Sequence, residues 1–330
     1  MTDTPLAPLK GEIAVVEYSE AFREPWESFV AQSSQGTLFH TRAFLAYHPA
    51  ERFHDTSLLF FKKEKLLAVM PATLVLKDLA RTLVSHAGAS FGGLVTLRDI
   101  SLREQEALVA ALMAHGREQK CSAIELTLPP SFYSASDDHS LAYAYYRAGF
   151  RYQRRELTQA VQLNTPREKN YSAEFQRKLR RAQTLGVAVK ESEDFAGFYE
   201  ILQRNLAERH GAQPTHALAE LVDLRQRLPA RVRLFTAHVE ERMIAGILLF
   251  VCNVQAALAF YIGQRYEDQH YRAINLLAHE VMNWCELEGL AYFDFGTSTI
   301  NMEPNWGLID FREAAGARGF WRDRLRLELT

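Results

Sequence analysis

Cysteine is scarce in this sequence: 3 of 330 residues, Cys121, Cys252 and Cys285, widely spaced and odd in number. A disulfide framework is therefore not expected, and without a C-x-x-C pair the common zinc and redox motifs fall away too. Each cysteine reads as a small buried hydrophobe in a reducing, cytoplasmic compartment. Charge of one sign is also lacking. Lys+Arg 38 against Asp+Glu 40 gives a net charge of -2 and a pI of about 6.6. That balance disfavours broad binding to DNA and leaves only local basic patches. Long hydrophobic runs are missing as well. "GILLFV" is far short of the roughly 18 to 20 apolar residues of a membrane helix. The N-terminal stretch has no secretory signal pattern, and no low-complexity tract or long linker interrupts the chain.

Several chemical motifs fail on inspection. His279-Glu280 begins H-E-x-x-H, but the fifth position is Asn283, so no zinc motif forms. No other histidines stand as an i, i+4 ligand pair, and no G-x-x-x-x-G-K-[ST] phosphate loop occurs. The stretch "HAGASFGGLV" (His86 to Val95) does contain G-x-S-x-G, centred on Ser90. A nucleophile elbow needs a helix directly after the serine. Here Gly92-Gly93 leads into the β-branched "LVTL", and the next helix cap waits until Ser101. The glycines are better read as permitting a bulge or a close backbone approach, with Ser90 as a hydrogen-bonding hydroxyl.

What is present is a composition of 48% hydrophobic and 24% charged residues, that of an ordinary globular protein. The length favours two domains, and the pattern repeats at that scale. "SLLFFKKEKLLAVMPATLVL" reads as two strands joined at Lys62–Lys65, and "RLFTAHVEERMIAGILLFV" repeats the plan around Glu240–Arg242. Each hairpin leads to a strand, a helix and another strand. In the first half Ser101 and Glu104 form a capping box, Ala107, Leu108, Ala111 and Leu112 make an apolar stripe, and "SAIELTL" follows. In the second half Ile274, Leu277, Ala278, Val281 and Trp284 share a face, Gly289 ends the helix, and "LAYFDFG" follows. The halves close similarly, with "YRAGF" after Glu125 and "REAAG" after Asp294. Between them "SAEFQRKLRRAQTLGVAVK" predicts a helix with Phe175, Leu179 and Ala182 inward. Its outer face carries Arg177, Lys178, Arg180 and Arg181, either solvated or able to attract phosphate. The expected fold is α/β of the α+β type: two tandem domains, about 1–155 and 156–330, each a mixed twisted sheet flanked by helices, with a cleft between them.

A series of phrases in this order resembles the Fem-type peptidyltransferases and their GNAT-like acyltransferase relatives. They are "WESFVAQSSQGTLFHTRAFLAYH" (Trp26 to His48), "RKLRRAQTLGVAVK", "AGILLFV" with the downstream Tyr261, W-x-x-x-x-G-x-x-x-F-D-F-G at Trp284 to Gly296, and "GLIDFREAAGA" at Gly307 to Ala317. The resemblance implies a double GNAT-like fold in which "FWRDRLRLELT" can return to the first half. It also implies acyl transfer to an amine, with cell-envelope precursors or nucleotide sugars among the acceptors.

The residue roles follow from the same resemblance. Arg312 stands where the family has a lysine beside the reacting ester; arginine keeps the charge but cannot shuttle a proton. Tyr261 occupies the cleft-facing tyrosine position, to hold the acceptor or donate a proton. His48 stands where relatives often place a phosphate-contacting lysine; read from the residues themselves, Arg209 after "QRNLAE" can likewise reach an acceptor phosphate, and Ser90 and Asp294 join them as acceptor-binding candidates. Their plainer readings are a surface ion pair for Arg312, cross-strand packing for Tyr261, a surface histidine at His48 and turn capping by Asp294.

The donor site falls at "HYRAIN" (His270 to Asn275), where Arg272, Ala273 and Asn275 replace a glycine-bearing phosphate turn at a helix start. No bound cofactor or metal is expected. Acyl-CoA is the favoured co-substrate and aminoacyl-tRNA the alternative donor. A rival of another class is a binding module that keeps the fold and has lost the donor site.

Overall fold

The computed structural model describes residues 13–49, 51–77, 80–210 and 213–329. It divides into two compact units, one running to Arg155 and taking in the chain from Arg322 on, the other Glu156–Trp321.

The first unit opens with β1 (Ile13–Glu17), α1 (Arg23–Gln32) and the short α2 (Arg42–Leu45). β2 (Leu58–Lys62) and β3 (Lys65–Met70) form the expected hairpin, its turn made by Lys63 at a left-handed φ of 56°. The next segment departs from the reading of two strands. Pro71 has no N–H to continue the ladder, so the run breaks after Met70 and a third strand, β4 (Thr73–Lys77), pairs with β5 (Ala80–Val84). After a loop comes β6 (Val95–Thr96), which completes an antiparallel sheet in the order β1-β2-β3-β6.

α3 (Leu102–Glu118) begins at the predicted capping box, with both Ser101–Glu104 bonds in place. β7 (Ala123–Thr127) returns parallel to β5, and α4 (Ser140–Arg147) follows. The core gathers Leu108, Val109 and Leu112 of α3 against Phe60, Met70, Ile124 and Leu126.

β8 (Arg151–Gln162) carries the chain into the second unit. There follow α5 (Ala173–Thr184), β9 (Ala188–Glu191), α6 (Phe195–His210), α7 (Leu218–Arg227), β10 (Val232–Val239), β11 (Arg242–Val251) and β12 (Ala256–Gln264). Then come α8 (Ala273–Leu287), β13 (Tyr292–Thr297), the small hairpin β14 (Thr299–Ile300) and β15 (Glu303–Pro304), α9 (Trp306–Ala314) and β16 (Arg318–Glu328). The sheet order is β8-β13-β12-β11-β10-β9, and only the β12–β13 pair, linked through α8, is parallel. α5 turns Phe175 and Ala182 into the core, as its periodicity predicts.

Both units follow one plan, strand, two helices, hairpin, strand, helix, parallel strand, helix, with two further strands before the helix in the first unit. Glu125 and Asp294 are each the third residue of the parallel strand. The closing strand of each set is β8 beside β13 in the second unit, and β16 beside β7 over Arg324–Glu328 in the first.

Candidate functional site

In the second unit β12 and β13 pair for three residues only, Ala256–Leu258 with Tyr292–Asp294. Beyond them β12 stays with β11, while β13 meets β8 again at Thr297. The two parallel strands thus part beyond Leu258 and Asp294. β12 also carries a register shift, since Tyr261 pairs with Leu248 and Ala259 with Leu249. The extra residue is Phe260. Ala257 and Ala259 face the α8 core, as do Phe293 and Phe295, which puts Leu258 and Asp294 on the opposite face. A bulge re-aims the side chains beyond it, and here it brings Phe260 and Tyr261 against the same histidine, His216.

Arg312 comes from α9 and is only 6% exposed. Nη1 donates to the Gly296 carbonyl at 2.8 Å and to Ser298 Oγ at 2.6 Å, and Ser298 in turn donates to Gln159. The guanidinium lies over the Phe295 ring at 6.0 Å. Burial pulls its pKa down to about 10, with the charge of Asp294 opposing the shift. The group stays cationic at neutral pH. Both bonds use Nη1, so among the described residues the rest of the fork is left for another acceptor. The reading of Arg312 as a surface ion-pair residue is overturned: it is a buried cation with no ion pair among the described residues.

Asp294 is buried beside it. Its Oδ1 accepts from Thr158 Oγ1 at 2.7 Å and from the Gly296 N–H at 2.8 Å. The second bond is the turn-capping contact, made where Gly296 takes a φ of 84°. Asp294 therefore shapes the turn that offers Gly296 and Ser298 to Arg312. Tyr261 is half-buried, and its hydroxyl lies 3.0 Å from His216 Nδ1. Burial raises its pKa, and the hydrogen bond with Thr215 offsets part of the rise.

At the start of α8 the donor candidates come together. Arg272 is exposed and occupies the N-cap in the left-handed conformation, φ 58° and ψ 32°, with no side-chain cap. Such a conformation costs a non-glycine residue about 1–2 kcal/mol, and strain of this kind concentrates at functional positions. Ala273 and Asn275 are buried in the first turn, where the Asn275 N–H donates to the Arg272 carbonyl at 3.1 Å. Arg181 of α5 donates to the His270 carbonyl at 3.2 Å. Arg272 and Arg177 both lower the pKa of Glu174, behind its hydrogen bond from Lys178. The basic face of α5 thus lies beside the α8 N-terminus, a helix end suited to an anion.

In the first unit His48 is partly buried rather than a surface residue. Its Nε2 lies 2.9 Å from the Gly88 carbonyl, and its ring stacks on His86 at 5.8 Å. Ser90 sits in a loop, where its carbonyl accepts from Arg322 Nη2 at 2.8 Å. No helix follows, so the elbow is absent. The glycines serve close approach: a Cβ at Gly88 would meet His48, and one at Gly92 would meet Ser85. The expected strand is a loop up to Val95. Arg209 belongs to α6, but its side chain lies outside the described residues. His216, Ser298 and Gln159 were not singled out by the sequence. "DFGTS" points toward Ser298, whereas His216 follows "GAQPT" with no periodic pattern to mark it.

Residues 169–303 match the family model described as an acetyltransferase (GNAT) domain. No curated protein matches the sequence significantly. FemX shares the fold with a TM-score of 0.72 at 13% identity, over 96% of this chain and 97% of FemX. A tandem GNAT protein from the clavulanic acid biosynthesis pathway aligns with a TM-score of 0.55 at 13% identity, over 97% and 99% of the two chains. L-PGS from Bacillus licheniformis aligns with a TM-score of 0.58 at 12% identity, over 97% and 93%. The fold is two tandem GNAT-like domains. Among the described residues no helix is long and apolar enough to cross a membrane.

Proposed function

We propose, from the premise that residues 169–303 form a domain of the GNAT acetyltransferase family, that this chain moves an acyl group from a phosphate-bearing donor onto an amine. The observation that carries the reading is the buried, partly unengaged Arg312 guanidinium at the end of β13 where β12 and β13 part. A neutral amine attacking an acyl carbonyl creates an oxyanion, and a desolvated fixed cation stabilises that charge far better than water does. Arg312 acts by charge alone, because it stays protonated.

The parted strands suit a donor arm with amide groups, which can pair with exposed backbone as an added strand does. The α8 N-terminus with Arg272 and Arg181 suits the donor's phosphates. Acyl-CoA meets both requirements and is the donor we assign. The acceptor is an amine on a nucleotide sugar or a cell-envelope precursor. Aminoacyl-tRNA is the second donor reading, favoured by the run of arginines on α5 beside the same helix end.

Titration with acetyl-CoA and with charged tRNA at two salt concentrations separates the two. Acetyl-CoA is expected to bind with shallow salt dependence. Binding of tRNA alone, falling steeply with salt, overturns the choice of CoA. Binding of neither favours a module without a donor site.

A further inference from the structure

We propose that His216 forms a proton relay with Tyr261, so that the amine's surplus proton leaves through the Tyr261 hydroxyl onto His216 Nδ1. This rests on the acyltransferase reading above. The relay stands on geometry. His216 is 8% exposed, and its Nδ1 is 3.0 Å from the Tyr261 hydroxyl. Its backbone is held by Tyr199 of α6, whose hydroxyl donates to the His216 carbonyl at 3.0 Å. Its ring meets Phe260 edge-on at 5.3 Å and Tyr261 at 5.9 Å. The bulge in β12 is what allows one imidazole to touch two consecutive residues of a strand.

The chemistry requires a group of this kind. Acylation of an amine releases a proton, and Arg312 cannot take it. Tyr261 cannot take it alone either, since only a phenolate can accept a proton and burial, by raising the hydroxyl's pKa, disfavours that form at rest. A concerted transfer avoids that species. As the C–N bond forms, the amine N–H bond breaks toward the Tyr261 oxygen, while the original Tyr261 proton moves to His216 Nδ1. Collapse of the oxyanion then breaks the C–S bond of a thioester donor, and the thiolate takes up the proton from His216. Amine and thioester become amide and thiol, and both side chains return to their starting state. His216 is a positioning and proton-accepting residue that acts through Tyr261.

The test compares His216→Asn with Tyr261→Phe and the double variant. Asparagine Oδ1 replaces Nδ1 as a hydrogen-bond acceptor but cannot accept the proton. H216N is expected to lower kcat by about 10²-fold with KM within about twofold of wild type, and Y261F to add no further loss to it. Full kcat in H216N, or losses that multiply in the double variant, overturns the relay. An independent readout is the long-range ¹H–¹⁵N NMR spectrum of the wild-type chain at neutral pH. His216 is expected as the neutral tautomer with Nδ1 unprotonated, and a proton on Nδ1 overturns the relay whatever the kinetics. A wild-type chain that acylates no amine refutes the acyltransferase reading and the relay together. An active wild type with an unimpaired H216N refutes the relay alone.

Discussion

At the scale of single residues the proposed chemistry turns on Arg312, which the phrase "GLIDFREAAGA" marks in the sequence. The sequence could not show that one nitrogen is anchored by Gly296 and Ser298, because that depends on α9 packing beside the turn after β13. Ser298 is fully buried and serves both Arg312 and Gln159. Ser298→Ala is expected to cost about 1–3 kcal/mol, because buried partners lose a hydrogen bond. A shift in the urea midpoint without a change in slope reads this out. Arg272 gives a prediction with two signs. Arg272→Gly removes the left-handed strain, so stability changes by no more than about 1 kcal/mol. KM for a phosphate-bearing donor rises because a cation leaves the helix entrance. A lower melting temperature with unchanged KM would make Arg272 structural. His216 was illegible for a plain reason: a lone histidine in a polar loop has no period, and its partner lies 45 positions away.

Secondary-structure elements were the most legible level wherever a local rule decides. The α3 start was readable from Ser101 and Glu104 because both capping bonds lie within four residues. The third partner, Lys62, was not readable, since it reaches Glu104 from β2 at 2.7 Å. That hydrogen bond, joined by the Ser101 hydroxyl, pulls the Glu104 pKa down to about 2. A folded-state pKa below the unfolded value adds stability above the unfolded pKa, and that stability is lost as pH falls through the folded one. Glu104→Gln should therefore cost about 1 kcal/mol at neutral pH, discounted for partial exposure, with the gap to wild type closing between about pH 4.3 and 2. Denaturant midpoints across that range test it. The β12 bulge and the break at Pro71 show the limit of periodicity. Both depend on which neighbour a strand pairs with. Gly246 is a similar case: a Cβ there would run into the ring of Phe198. Gly246→Ala is expected to destabilise by about 1–3 kcal/mol through overpacking beneath α6, measurable by thermal unfolding.

For the molecule as a whole, the doubled plan was visible because hairpin, helix and strand recur in the same order in each half. β4 was hidden within an apolar run that reads as one continuous strand with β3, so its hairpin with β5 was not foreseen. The near-neutral charge, legible in the sequence, disfavours broad binding to a polyanion, and among the described residues no helix is long and apolar enough to cross a membrane. Acceptor recognition is the part no local pattern marks in the sequence, because it depends on side chains that only the fold brings together. The most direct measurement tracks transfer itself: acetyl-CoA is supplied with a panel of amino sugars and envelope-precursor amines, and acetylated product and free thiol are quantified for wild type and Arg312→Ala. Wild type is expected to form amide and thiol in equal amounts, with Arg312→Ala folded and slower by about 10²–10³-fold. Equal rates for the two proteins, or thiol release without amide, would contradict the assignment of Arg312 to amine acylation.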